Sequence, residues 1–174
     1  MKHLKSVFLI TVLFLMACKP EEKTIETKES ITSTFYLIRH AEKDRSDSLN
    51  TNPNLTEKGF LRAENWSTVF KDISFDAVYS TDYNRTRATA LPTATKNNLE
   101  LIIYNPETID IPDFLNENEG KNILIVGHSN TTPKFINTIL ERDTYKDIDD
   151  NNFSNLYTIT VTDGKITSNL LYIN

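Results

Sequence analysis

Four short apolar runs constrain this chain more than any other feature: Phe35–Ile38, Phe75–Tyr79, Leu99–Tyr104 and Asn122–Val126, each parted from the next by a stretch of helical character. Runs without polar alternation suit strands covered on both faces, and strands alternating with helices imply a parallel sheet joined by crossovers. Asn54-Leu55-Thr56 opens the first helix, with Thr56 as N-cap and Phe60, Leu61, Ala63, Trp66, Val69 and Phe70 at helical spacing. A second helix starts over Asn84–Ala90 and is expected to break or bend near Pro92. A short third covers Ile111–Leu115, and the fourth begins at Thr132-Pro133, with Phe135, Ile136, Ile139 and Leu140 on one face. The pattern changes at the end, where Leu156–Val161 and Ile166–Ile173 flank Asp163-Gly164, a two-residue hairpin signal. The expected fold class is α/β: a three-layer α/β/α sandwich whose mainly parallel sheet carries an antiparallel C-terminal edge hairpin.

The N-terminus stands outside this pattern. Lys2 and Lys5 precede Val7–Met16, an apolar run of about ten residues that is too short to cross a bilayer as a helix. It ends in Leu15-Met16-Ala17-Cys18, which resembles the lipobox of bacterial lipoproteins, although Met16 is a less usual residue there. Residues 1–17 therefore read as a lipoprotein signal peptide and Cys18 as the lipidation site; the alternative is a plain export signal. Lys19–Ser33 alternates charge and has almost no large apolar side chains, so 18–33 reads as a lipid-anchored flexible tether and 34–174 as the folded domain. The expected location is the bacterial cell envelope, with the membrane reached through Cys18. A single cysteine excludes a disulfide scaffold. The net charge of −5, more acidic still once Lys2 and Lys5 are lost, gives no pull toward nucleic acid, so no such partner is expected. An anionic ligand must be held by a local cluster.

In open sheets of this kind ligands sit at the carboxyl ends of the strands. Past the first run come Arg39-His40-Ala41-Glu42-Lys43; past the second, Ser80 and Thr81, then Arg85 and Arg87; past the third, Asn105-Pro106-Glu107; past the fourth, Gly127-His128-Ser129-Asn130. Of three histidines, His3 leaves with the signal, and His40 and His128 each stand directly after a strand. Either alone is as well read as a structural histidine, but together, with arginines converging, they point to a site. Zinc would want carboxylate or thiolate ligands beside the imidazoles, and arginines repel a cation, so no metal or other cofactor is expected. Guanidinium forks match phosphate oxygens two at a time. An imidazole among arginines has its protonated form disfavoured, which leaves a ring nitrogen free to attack phosphorus. The surrounding cations then stabilise the charge spread over the transferring group.

These residues resemble the histidine phosphatase superfamily, the phosphoglycerate mutase-like family. The resemblance rests on Arg39-His40, Leu55-Thr56-Glu57-Lys58-Gly59, Phe75-Asp76-Ala77-Val78-Tyr79-Ser80, Arg85-Thr86-Arg87-Ala88-Thr89-Ala90 and Val126-Gly127-His128-Ser129, in that order over most of Tyr36–Val161. It implies a phosphoglycerate mutase-like fold, a phosphohistidine intermediate on His40, and binding of the phosphoryl group by Arg39, Arg85 and His128. Spacing alone does not distinguish His40 from His128 as nucleophile. The chain departs from the family at Ser80-Thr81-Asp82, where a paired serine followed by proline is frequent, so Asp82 is expected to weaken the local phosphate potential. Ser80 and Thr81 read as caps rather than ligands. Lys43 either adds charge to the pocket or is solvated, and Arg87 reads as structural because it points elsewhere on its helix.

A leaving oxygen needs a proton unless the group already leaves well. The resemblance points to a Glu after the third strand, for which Glu107 is the nearest match, while Asp110 and Asp113 compete. The alternative is that all three favour the positive N-terminus of a short helix. Some compact relatives acting on phosphohistidine lack an obvious acid. The domain has little room for the lid-building insertions of the mutases, so the pocket is expected to be open, which favours hydrolysis. The reading is a phosphatase acting on a small phosphorylated substrate, a phosphomonoester or phosphoramidate. The alternatives are a non-catalytic phosphate-binding lipoprotein, a structural lipoprotein, and a mutase-type phosphotransferase. The loops Asp44–Pro53 and Glu141–Asn152, which would set specificity, are merely polar.

Overall fold

The computed structural model describes residues 30–173. The signal segment, Cys18 and most of the tether lie outside them. Along the first strand, β1 (Thr32–Arg39), Phe35 and Leu37 enter one apolar cluster while Tyr36 and Ile38 face another. Ile123 and Ile125 of β4 (Asn122–Gly127) divide from Leu124 and Val126 in the same way. With apolar side chains on both sides, each strand must be covered twice, and helices supply the cover. α1 (Glu57–Val69) and α2 (Asn84–Lys96) bring Trp66, Ala90 and Ala94 to one face. α3 (Ile111–Glu117) and α4 (Thr131–Leu140) bring Phe114, Phe135, Ile136 and Ile139 to the other.

With β2 (Ala77–Ser80), β3 (Leu101–Ile103), β5 (Asn155–Thr162) and β6 (Lys165–Tyr172), the sheet order is β3-β2-β4-β1-β5-β6. The first four of these are mutually parallel, β5 is antiparallel to β1, and β6 closes the C-terminal edge as a hairpin partner of β5. The hairpin turns at Asp163 (φ 48°) and Gly164 (φ 78°), the paired positive φ values that a two-residue turn requires. The three-layer α/β/α class and its antiparallel edge are thus as expected.

Several details differ. β1 begins at Thr32, ahead of the Phe35–Ile38 run: Ser33 is buried, and its hydroxyl accepts from the Gly120 amide. The folded unit therefore takes the last residues assigned to the tether. Thr56 does cap α1, its Oγ1 accepting from the Gly59 amide, but Phe60 and Leu61 are exposed. The buried stripe is Gly59, Ala63, Trp66, Ser67 and Phe70, and residues 60 and 61 fall on the far side of it. Pro92 does not end α2, which continues to Lys96. β2 and β3 are both shorter than their apolar runs, starting at Ala77 and Leu101. At α1 the chain approaches itself closely: a Cβ on Gly59 would lie 2.3 Å from the Glu42 carbonyl oxygen, so only glycine lets this helix seat against the segment following β1.

Candidate active site

Parallel pairing of β1 with β4 sets Arg39 opposite Gly127, so the next residue of each strand, His40 and His128, emerges on the same edge of the sheet. The His40 amide donates to the Gly127 carbonyl at 2.9 Å, and the two imidazole centroids lie 5.5 Å apart. β2 pairs on the other side of β4 with Ser80 opposite Val126, which brings Thr81 to the same edge. The first turn of α2 then delivers Arg85. Four elements distant in sequence meet here because the sheet register aligns their ends.

His40 is 3% exposed. Its Nδ1 lies 2.7 Å from the Ala41 carbonyl oxygen, which can only accept, so Nδ1 carries the proton and Nε2 holds the lone pair. The Ala41 amide is itself tied to Thr89 Oγ1, and Thr89 Oγ1 donates to the Arg85 carbonyl. Burial lowers the His40 pKa to about 3, with the Arg39, Arg85 and His128 charges acting in the same sense. For His128, burial first and then Arg85, Arg39 and Lys43 lower the pKa to about 4. Its Nε2 lies 2.9 Å from Thr81 Oγ1, and Arg85 Nη2 lies 3.4 Å from its Nδ1, the arrangement of a ring protonated on Nε2. Tyr83 packs edge-on against the His128 ring, with centroids 5.0 Å apart, and its face lies 4.4 Å beneath the Arg85 guanidinium carbon.

Nε and Nη1 of Arg85 are buried with no hydrogen-bond partner, and so is Nε of Arg39. Buried donors left unpaired are costly, and a cluster of them beside two neutral imidazoles offers the hydrogen bonds that an anion would accept. Arg39 differs from the expectation in one respect: its Nη1 and Nη2 are taken up by the segment 149–152, leaving Nε as its buried unpaired donor. Burial lowers the pKa of Lys43, and the nearby Arg85 and Arg45 charges add to the effect, so its ammonium belongs to the same cationic cluster. Glu42 does not neutralise that cluster, because Arg62 grips it through Nε and Nη2 and Lys58 pairs with it as well.

Glu107 lines the rim of a pocket of about 340 Å³ together with Tyr83, Arg85, Asn105, His128 and Thr131. Its carboxylate is exposed and pairs with Lys134 Nζ at 3.7 Å. Asp110 caps α3 by accepting from the Asp113 amide, as the helix-terminus alternative required. Asp82 is paired with Arg87 at the surface, so it places no free negative charge on the pocket. Ser80 Oγ is occupied by the Thr81 carbonyl. The opening lies over Arg85 and His128, whereas His40 and Arg39 are covered, so the pocket is less open than expected. The covering residues Asp150 and Phe153, and the supporting Tyr83, were missed because their loops carry no motif and their partners are remote in sequence.

The two rings also set an acid limit on stability. Unfolded histidine protonates near pH 6.5, whereas these rings stay neutral in the fold down to about pH 4, so the unfolded state binds more protons in between. The unfolding free energy is expected to fall as pH drops from 7 to 5.5, above the range where carboxylates titrate. Urea unfolding at those two pH values checks it, and equal stability would contradict the neutral pair.

A family model described as the histidine phosphatase superfamily (branch 1) matches residues 35–106, which hold Arg39, His40 and Arg85. No curated protein matches the chain. A phosphoserine phosphatase mutant from Entamoeba histolytica in complex with phosphoserine is 18% identical, at a TM-score of 0.61 over 78% of this chain and 94% of that one. The protein histidine phosphatase SixA complexed with tungstate is 15% identical, at a TM-score of 0.62 over 80% and 96%. A mycobacterial glucosyl-3-phosphoglycerate phosphatase is 11% identical, at a TM-score of 0.65 over 82% and 99%. At such identities the three show a shared fold. By the match over residues 35–106, and by the phosphoglycerate mutase-like fold on which those residues sit, the chain is similar to the histidine phosphatase superfamily.

Proposed function

We propose that the protein is a phosphatase that hydrolyses a phosphomonoester or phosphoramidate through a phosphohistidine intermediate on His40. One observation carries this reading: the unpaired, buried Nε of Arg39 and Nε and Nη1 of Arg85, gathered beside two neutral imidazoles. The arginines hold the phosphoryl oxygens, and the Nε2 lone pair of His40 forms a bond to phosphorus as the bond to the leaving oxygen or nitrogen breaks. Donation from Nδ1–H to the Ala41 carbonyl disperses the positive charge that the ring acquires. Water then attacks phosphorus, the P–N bond returns its electron pair to Nε2, and inorganic phosphate leaves. Arg85 and His128 balance the charge on the transferring group in both steps. The structural neighbours named above as phosphatases support the reaction class. Release of phosphate from an aryl phosphate by the full-length chain, with acid-labile phosphate trapped on the protein, tests it; a chain that releases none sinks it.

Glu107, on the pocket rim, is assigned the transfer of a proton to the leaving oxygen, for which its carboxyl group must leave Lys134 and first take up a proton from solvent. A positioned acid contributes about 10²-fold or more when the leaving group is a poor one. Glu107→Gln is therefore expected to slow hydrolysis of an alkyl phosphate by roughly that factor and to spare an aryl phosphate. Equal effects on both substrates remove Glu107 from that role.

The covered position of His40 favours a second reading, a lipoprotein that binds phosphate without turning it over. Vanadate or phosphate binding with no hydrolysis would select it. In either reading the protein sits in the cell envelope, held to a membrane through lipidated Cys18. Cys18→Ser is expected to move the protein from the membrane to the soluble fraction with its activity intact; loss of activity along with the anchor would show that the domain does not act alone.

A further inference from the structure

A guanidinium carries five N–H donors. In Arg39, Nη1 donates to the carbonyls of Asp149 (2.8 Å), Asp150 (3.1 Å) and Asn152 (3.1 Å), and Nη2 donates to Asp150 Oδ1 at 2.9 Å. The guanidinium carbon rests 4.5 Å from the centre of the Phe153 ring, and that ring lies 6.3 Å from the ring of His40. The other carboxylate oxygen of Asp150 accepts from Arg45 Nη1, and Arg45 Nη2 donates to the Asp150 carbonyl at 3.2 Å. Asp150 thus joins two loops from opposite ends of the domain, one following β1 and one preceding β5, across the buried Arg39. The strap is fixed at both ends. Ile148 is buried and its amide donates to the Ser129 carbonyl, while Asn152 Nδ2 donates to Asn155 Oδ1.

Arg39, Arg45, Arg85 and Lys43 repel one another where they converge, and Asp150 is the carboxylate that hydrogen-bonds two of them. We propose that Asp150 is a positioning residue. By holding Nη2 of Arg39 through its carboxylate, while main-chain carbonyls of the strap hold Nη1, it aims the Nε–H into the anion pocket beside the two free donors of Arg85. The proposal rests on the reading that this pocket binds a phosphoryl group. It implies that Arg39 gives that group one hydrogen bond and Arg85 gives it the others.

The test measures inorganic phosphate binding to the full-length chain by calorimetry, alongside turnover of an aryl phosphate. Asp150→Ala is expected to weaken phosphate binding about tenfold or more, in line with the loss of a charge-assisted bond. In an Arg39→Met background the same change is expected to add less than about twofold, because its effect passes through Arg39. A residue that merely stabilised the fold would cost the same in both backgrounds, and that result, or unchanged phosphate affinity in Asp150→Ala, overturns the proposal. Should either change prevent folding, Arg45→Ala at the surface and Asp150→Asn decide. Both are expected to weaken phosphate binding by at least about twofold, and unchanged affinity in both overturns the proposal. A wild-type chain that binds no phosphate overturns it too. Phosphate binding that depends on Asp150 through Arg39, without turnover, would sink the phosphatase reading and leave this one standing. An active enzyme indifferent to Asp150 does the reverse.

Discussion

His40→Ala is expected to abolish turnover, by a factor on the order of 10⁴ or more, because the lone pair that forms the covalent intermediate disappears. What survives the change is electrostatic. Arg85, His128 and the Arg39 Nε–H still hold the phosphoryl group, so phosphate affinity should persist while chemistry stops. The fold should tolerate the substitution. His40 follows the last residue of β1, and its backbone link to the Gly127 carbonyl is independent of the side chain. The lost interaction is the Nδ1–H bond to the Ala41 carbonyl, worth about 1 kcal/mol net. Phosphate-release assays on the full-length variant, with circular dichroism to confirm folding, make the measurement, and trapping of acid-labile phosphate identifies the atom. Retention of more than a few per cent of wild-type activity would remove His40 from the nucleophile's role. Glutamine at the same position offers an isosteric check, since its amide cannot attack phosphorus.

The placement of the proposed nucleophile was partly legible in the sequence. The apolar runs ending at Ile38 and Val126 located both strand ends, and the residues just past them supplied the two imidazoles. What the runs cannot say is which strands are neighbours. Only the observed register, Arg39 opposite Gly127, turns two separate histidines into a pair 5.5 Å apart. Local signals held where the physics is local: the Thr56 cap and the Asp163-Gly164 turn depend on a few adjacent residues. They failed where tertiary packing decides. Phe60 and Leu61 match helical spacing yet face solvent, because the close seat of Gly59 on the Glu42 carbonyl fixes which side of α1 turns inward. Pro92 is tolerated inside α2 for a related reason: the flanking Ala90, Thr93 and Ala94 are buried against the sheet, and that packing outweighs one missing hydrogen bond. Asp150 was invisible for a further reason. Its role arises from contact with an arginine 111 positions earlier, and a polar loop residue carries no mark of that.

Arg85→Ala should raise the barrier by about 2–4 kcal/mol, the cost of removing a preorganised donor from the developing charge. That corresponds to roughly 30-fold to 10³-fold in rate. Two unpaired, buried donors disappear together, so inhibition by inorganic phosphate should weaken along with kcat rather than being spared. Lysine is not expected to rescue, since a point charge on a flexible stem cannot reproduce the fork and does not stack on Tyr83 as the planar group does. The substitution also changes His128. Burial is the main reason its pKa lies near 4, and the Arg85 charge is the next. Truncation admits water and removes the charge, two changes with the same sign, so the His128 pKa should rise toward the ordinary histidine range. The acid edge of the residual activity would then move to higher pH, because His128 becomes protonated sooner as pH falls. Proton NMR titration of the His128 ring in wild type and variant checks the shift independently of catalysis. If kcat and phosphate affinity both stay within a few-fold of wild type and the ring titrates unchanged, the guanidinium does not face the transferring group, and the anion pocket must be assigned to other donors.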